Sequence, residues 1–74
     1  MNTSQLQPGQ QVILRQYHQS NSYSQQLTAI GLTPGTLVQV VRRAPLGDPI
    51  EIQFRGINLA LRQSECQGID WEQA

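Results

Sequence analysis

The sequence predicts an all-β fold, a small antiparallel barrel of about five strands with one short helix. Three observations point there. Apolar residues recur at every second position, at Val38 and Val40, at Ile50, Ile52 and Phe54, and at Leu59 and Leu61. The segments between these runs carry Pro, Gly and Asn and are too short for crossover helices, so neighbouring strands pair antiparallel. Helical spacing occurs only around Tyr23 to Ile30. A half-buried alternation over several short strands suits a closed or partly closed barrel.

Taken in order, QPGQQ (7–11) is a turn that leads into a first strand at Val12–Leu14. The following RQYHQSNSYSQQ is polar and begins as a long exposed loop. Ser22, with Gln25 three residues on, fits a capping box. Tyr23, Leu27 and Ile30 then share one face of a two-turn helix, which Gly31 ends. In TPGT, Pro34 and Gly35 match the central pair of a type II turn. Strands follow at Val38–Val40, Ile50–Phe54 and Leu59–Leu61, with a turn at Gly56–Asn58 before the last of them. A closing strand spans Ile69 and Trp71, entered through Gly68. The expected core is Val12, Leu14, Leu27, Ile30, Leu32, Val38, Val40, Ile50, Ile52, Phe54, Leu59, Leu61 and Ile69.

Seventy-four residues suit one domain, residues 1–74. Cys66 is the lone cysteine, so no internal disulfide can form, and a reducing, intracellular setting is the simpler expectation. No apolar run approaches the roughly 20 residues that span a bilayer. MNTSQLQPGQQ lacks the basic start and apolar stretch of a signal peptide. A soluble, cytoplasmic protein with no direct membrane insertion is therefore expected. Five arginines balance five acids. Besides Arg15, the four arginines in the middle of the chain, Arg42, Arg43, Arg55 and Arg62, could form a weak anion-binding face across adjacent strands, but wetting the outside of a sheet is the simpler role. Nucleic acid is not an expected partner, because the net charge is zero and stacking aromatics are scarce.

No catalytic constellation emerges. His18 lies in the polar loop, far in sequence from Cys66, with no third group to orient a nucleophile pair. Asp48 and Glu51 flank a turn and an outward strand position. Metal ligands show no paired spacing, and there is no GxxxxGK[ST] phosphate loop. The expectation is a non-enzyme with no catalytic residues, no metal site and no cofactor.

APLGDPI (44–50) is the most distinctive stretch. Pro45 and Pro49 remove two backbone donors and stiffen the chain, Gly47 permits a turn, and Asp48 can bond to that turn. The segment reads as a rigid connection between two strands that presents Leu46. A preorganised turn loses little entropy on binding, which favours it as a contact. Pro45, Leu46, Gly47, Asp48 and Pro49 are the candidate partner-binding residues. Leu27, near the helix end at Ile30, is a second candidate surface for which core packing competes.

The order and spacing of QQLTAIG, GLTPGT, the AP-G-DP loop and LALR followed by an acid resemble the FeoA family of bacterial ferrous-iron uptake. The resemblance extends back to LQPGQQVIL and so covers most of the chain. It departs at Gln25 and Gln26, where the family commonly has basic residues, and at Cys66, where it often has alanine. The resemblance implies an SH3-like barrel and a cytoplasmic, non-enzymatic accessory protein. Its implied partner is a FeoB-like membrane GTPase transporter, reached from the inner face of the plasma membrane and supported in assembly or activity. Homo-oligomers remain open. The alternatives are an iron-responsive metal-binding regulator domain and an SH3-like peptide- or RNA-binding module.

Overall fold

The computed structural model describes residues 1–74. Alternating burial builds strands β1 (Gln11–Tyr17), β2 (Leu37–Arg43), β3 (Ile50–Phe54), β4 (Ile57–Leu61) and β5 (Ile69–Gln73). One helix, α1 (Ser22–Ala29), lies between β1 and β2, and short 3-10 turns occur at Thr3–Gln5 and Gln63–Glu65. The strands make one antiparallel sheet in the order β4-β3-β2-β1-β5. Residues from all five strands join Leu6, Leu27, Leu32 and Cys66 in a single core cluster. The sheet thus curls around one core, with an open seam between its two edge strands. The expected SH3-like all-β architecture is the one observed.

Several boundaries differ from expectation, each for a local reason. β1 continues through Arg15, Gln16 and Tyr17, which read as loop in the sequence. A register irregularity between Leu14 and Gln16 breaks the alternation opposite β5. Beyond it Tyr17 is half-buried and its hydroxyl donates to the Leu32 carbonyl at 2.6 Å. The N-cap of α1 is Asn21 and not Ser22. Asn21 Oδ1 accepts from the Ser24 N–H at 2.8 Å, and Ser24 Oγ accepts from the Asn21 N–H at 3.0 Å. This is a reciprocal cap one residue earlier than the Ser22–Gln25 pair.

The turn between β3 and β4 is also tighter than expected. Phe54 pairs with Ile57 across a two-residue loop, and Arg55 and Gly56 both have positive φ, +49° and +78°. That is the signature of a type I′ hairpin, whose twist matches the strands it joins. β4 therefore starts at Ile57. The TPGT turn forms as expected, with the Thr36 N–H donating to the Thr33 carbonyl at 3.0 Å and Gly35 at φ +92°.

The core needs two corrections and three additions. Ile30 is 44% exposed because it occupies the C-cap, where the chain leaves the helix. Leu59 is only half-buried, on an edge strand. Leu6, Cys66 and Trp71 complete the core. The Trp71 indole N–H donates to Thr3 Oγ1 at 3.0 Å, and Thr3 Oγ1 donates to the Cys66 carbonyl at 3.0 Å. This buried relay joins the first turn, the second turn and β5, and leaves the indole nitrogen satisfied. The Trp71 backbone N–H donates to the Met1 carbonyl at 2.8 Å, so the N-terminal segment covers part of the free edge of β5.

Candidate functional site

The β2–β3 connection, residues 44–49, is the best-defined protrusion of the molecule. Its neck closes where the Ala44 N–H donates to the Pro49 carbonyl at 3.1 Å. Inside it, the Gly47 N–H donates to the Ala44 carbonyl at 2.7 Å, giving a four-residue turn with Pro45 and Leu46 at its centre. Proline presets the backbone for the first central position of such a turn. Gly47 has φ +89°, and a Cβ there would stand 3.3 Å from the Arg43 guanidinium. Any larger residue would meet both backbone strain and a crowded neighbour.

Arg43 anchors the base of the loop. Its Nη1 donates to the carbonyls of Ser4 (3.1 Å) and Leu6 (3.0 Å), and its Nη2 donates to the carbonyl of Gly47 (3.3 Å). One planar fork thus ties β2, the N-terminal segment and the loop together. From the other side, Gln63 Nε2 donates to the same Gly47 carbonyl at 2.7 Å. Asp48 does not bond to its own turn. Its Oδ1 accepts from the Gln63 N–H at 2.9 Å, and its Oδ2 lies 3.7 Å from the Arg62 guanidinium. Asp48 therefore links the loop to the connection between β4 and β5.

With its base held this way, the loop leaves Leu46 97% exposed beside an exposed Pro45. Gly47, Asp48 and Pro49 are half-buried. A polar cleft of about 430 Å³ lies between the N-terminal turn and residues 63–67, lined by Ser4 and Gln63 among others. Gln63 bonds the loop directly and Ser4 is tied to it through Arg43, so cleft and tip share one frame. Leu27, the second candidate, is 2% exposed and belongs to the core, so of that surface only Ile30 reaches solvent.

The remaining sequence candidates are dispersed. His18 is exposed next to Gln16. Cys66 is buried, and burial pushes its thiol pKa up to about 11 despite the nearby Tyr23 hydroxyl. Glu51 pairs with Arg42 at 3.4 Å. His, Cys, Asp and Glu form no group of three or more that could hold a metal ion. The arginines do not form a common anion face. Arg15 pairs with Glu72, Arg42 with Glu51 and Arg62 with Asp48, while Arg43 and Arg55 donate to backbone carbonyls.

Sequence reasoning located the tip but not its anchors. Arg43 and Gln63 carry no spacing that links them to residue 47, because the contacts arise only when β2 and the β4–β5 connection are brought together. No helix of the structure is long and apolar enough to cross a membrane.

Comparison with known proteins gives these features a family setting. The solution structure of iron(II) transport protein A from Clostridium thermocellum is 32% identical and superposes with a TM-score of 0.90. All of this chain is covered, but only 46% of the Clostridium chain, so this protein spans just under half of that relative. FeoA from Chlorobium tepidum is 33% identical with a TM-score of 0.88, over 99% of this chain and 70% of that one. The zinc-complexed FeoA of Stenotrophomonas maltophilia, described as an SH3 domain protein, has the same fold at 24% identity and a TM-score of 0.81, covering 97% of this chain and 89% of that one. The family model named FeoA domain matches residues 1–72. With that match over nearly all of its length, the chain belongs to the FeoA family.

Proposed function

We propose that this protein is a non-enzymatic accessory of ferrous-iron uptake, acting in the cytoplasm by docking on the cytoplasmic part of a FeoB-like transporter. The family match and the Clostridium relative's name as an iron(II) transport protein support the iron-uptake role. One observation carries the docking surface. Leu46 is 97% exposed on a loop whose base is held by Arg43, Asp48 and Gln63. An apolar side chain offered to water on a braced turn suits insertion into a partner's pocket, since little ordering remains to be done on binding. Pro45 would extend the apolar tip, Gly47, Asp48 and Pro49 hold its shape, and the neighbouring polar cleft can add hydrogen bonds at the rim.

The alternatives have less support. A proline-peptide groove needs aromatics at its surface. Here Phe54 and Trp71 are in the core, and Tyr17 donates its hydroxyl to Leu32. A metal-binding regulator built on His18 and Asp48 would need ligands that lie on different segments, with Asp48 already engaged by Gln63 and Arg62.

The test is a pull-down of the transporter's cytoplasmic region with wild type and Leu46→Asp. Wild type is expected to be retained and the variant to bind at least tenfold more weakly with its fold unchanged. Absence of wild-type binding would overturn docking in its direct form. Equal binding would remove the loop as the contact.

A further inference from the structure

The two edges of the sheet are treated very differently. The free side of β5 is partly covered by Met1 and carries Asp70 and Glu72, charges that discourage strand addition. β4, with sequence INLAL, has no charge and no proline, and its only strand neighbour is β3. In the β3–β4 register the hairpin pair Phe54–Ile57 is hydrogen-bonded, so Ile57, Leu59 and Leu61 direct their backbone groups to β3. Asn58 and Ala60 direct their N–H and C=O groups the other way. These groups have no partner in the chain, and both residues are exposed.

We propose that the β4 edge pairs antiparallel with β4 of a second copy of this protein, about a twofold axis at Leu59. The unpaired positions are symmetric about that residue. Asn58 of one copy meets Ala60 of the other, and each such pair exchanges both of its N–H···O bonds. The two pairs use every free donor and acceptor on both strands. The self-complementary pattern specifies an identical strand as partner.

Side chains fit the same axis. Half-buried Leu59 meets its own copy, and Ile57, 37% exposed, falls opposite Leu61 of the second copy, whose side chain is buried in its own core. Arg62 falls opposite Gly56 and Arg55 opposite Gln63, so no like charges are brought face to face in this register. A five-residue strand pair covers much less than the roughly 1,200 Å² of a standard interface, so the dimer is weak and concentration-dependent. It is independent of the Leu46 docking surface, and its test needs only this chain.

Sedimentation from micromolar to millimolar concentration should show the weight-average mass rising from one chain towards two. Amide exchange at Asn58 and Ala60 should slow over the same range. Ala60→Pro removes a donor that faces away from β3 and should abolish both effects while leaving the circular dichroism spectrum intact. Asn58→Lys combined with Ala60→Lys sets two lysines opposite each other at each pair and should weaken association at least tenfold, in case the proline variant fails to fold. A monomer at millimolar concentration overturns the proposal. So does association that survives in the folded variants, or that proceeds without slowing exchange at residues 58 and 60.

Discussion

At position 66 a thiol sits 1% exposed among apolar neighbours, and burial lifts its pKa from the ordinary 9.0 to about 11. The unfolded chain therefore loses this proton at lower pH than the folded one. The neutral thiol's contribution to stability is fully present below pH 9, falls as pH rises between 9 and 11, and is gone above that. Tyr23, also raised chiefly by burial, extends the decline from pH 10 upward. Urea midpoints across this range should stay level to about pH 9 and then drop. Cys66→Ala should flatten the first part of the drop, and an unchanged profile would mean the thiol is not the source. The same burial should leave wild-type Cys66 inert to thiol reagents until the protein opens. Residue-scale legibility was uneven. Leu46 announced itself through its Pro and Gly flanks, and the burial of Cys66 was hinted at by its place where the resembled family often has alanine, whereas Arg43 at the loop base shows its role only through contacts distant in sequence.

Elements were legible where burial alternates cleanly. β2 and β3 followed the period-two pattern, and α1 followed its apolar spacing at Tyr23 and Leu27 though not at Ile30. Errors arose where local geometry overrides the period. The irregularity after Leu14 hid half of β1, and two left-handed residues shortened the β3–β4 turn. That turn supplies a test. Arg55, at φ +49°, is a non-glycine residue in the left-handed region, and its Nη1 reaches the Gly31 carbonyl only at 3.4 Å. Arg55→Asn would create the Asn-Gly pair preferred in type I′ hairpins, at the loss of one long hydrogen bond. The variant is expected to be more stable by about 0.5–1 kcal/mol in urea unfolding, since the left-handed penalty is largely removed. A destabilised variant would show that the Arg55–Gly31 contact outweighs the turn preference.

Across the whole molecule, one core cluster joins every strand, and the Trp71–Thr3–Cys66 relay binds the first residues to the last strand. Trp71, the only tryptophan, is 1% exposed and sits within this cluster. Its emission should report global unfolding, with a midpoint matching that of far-ultraviolet dichroism, as for a two-state domain. Separate midpoints would show that β5 and the N-terminal turn come apart from the rest. The barrel class was legible because periodicity is a local property, whereas this closure joins residues nearly the full chain apart. The pairing of Met1 with Trp71 also has a topological consequence. Met1 lies against Trp71, three residues short of Ala74, so the chain enters beside the strand by which it leaves, and the unit suits insertion into a surface loop of a host protein. By the same geometry, a short linker could join its ends and new termini could open at the exposed loop around His18–Ser20.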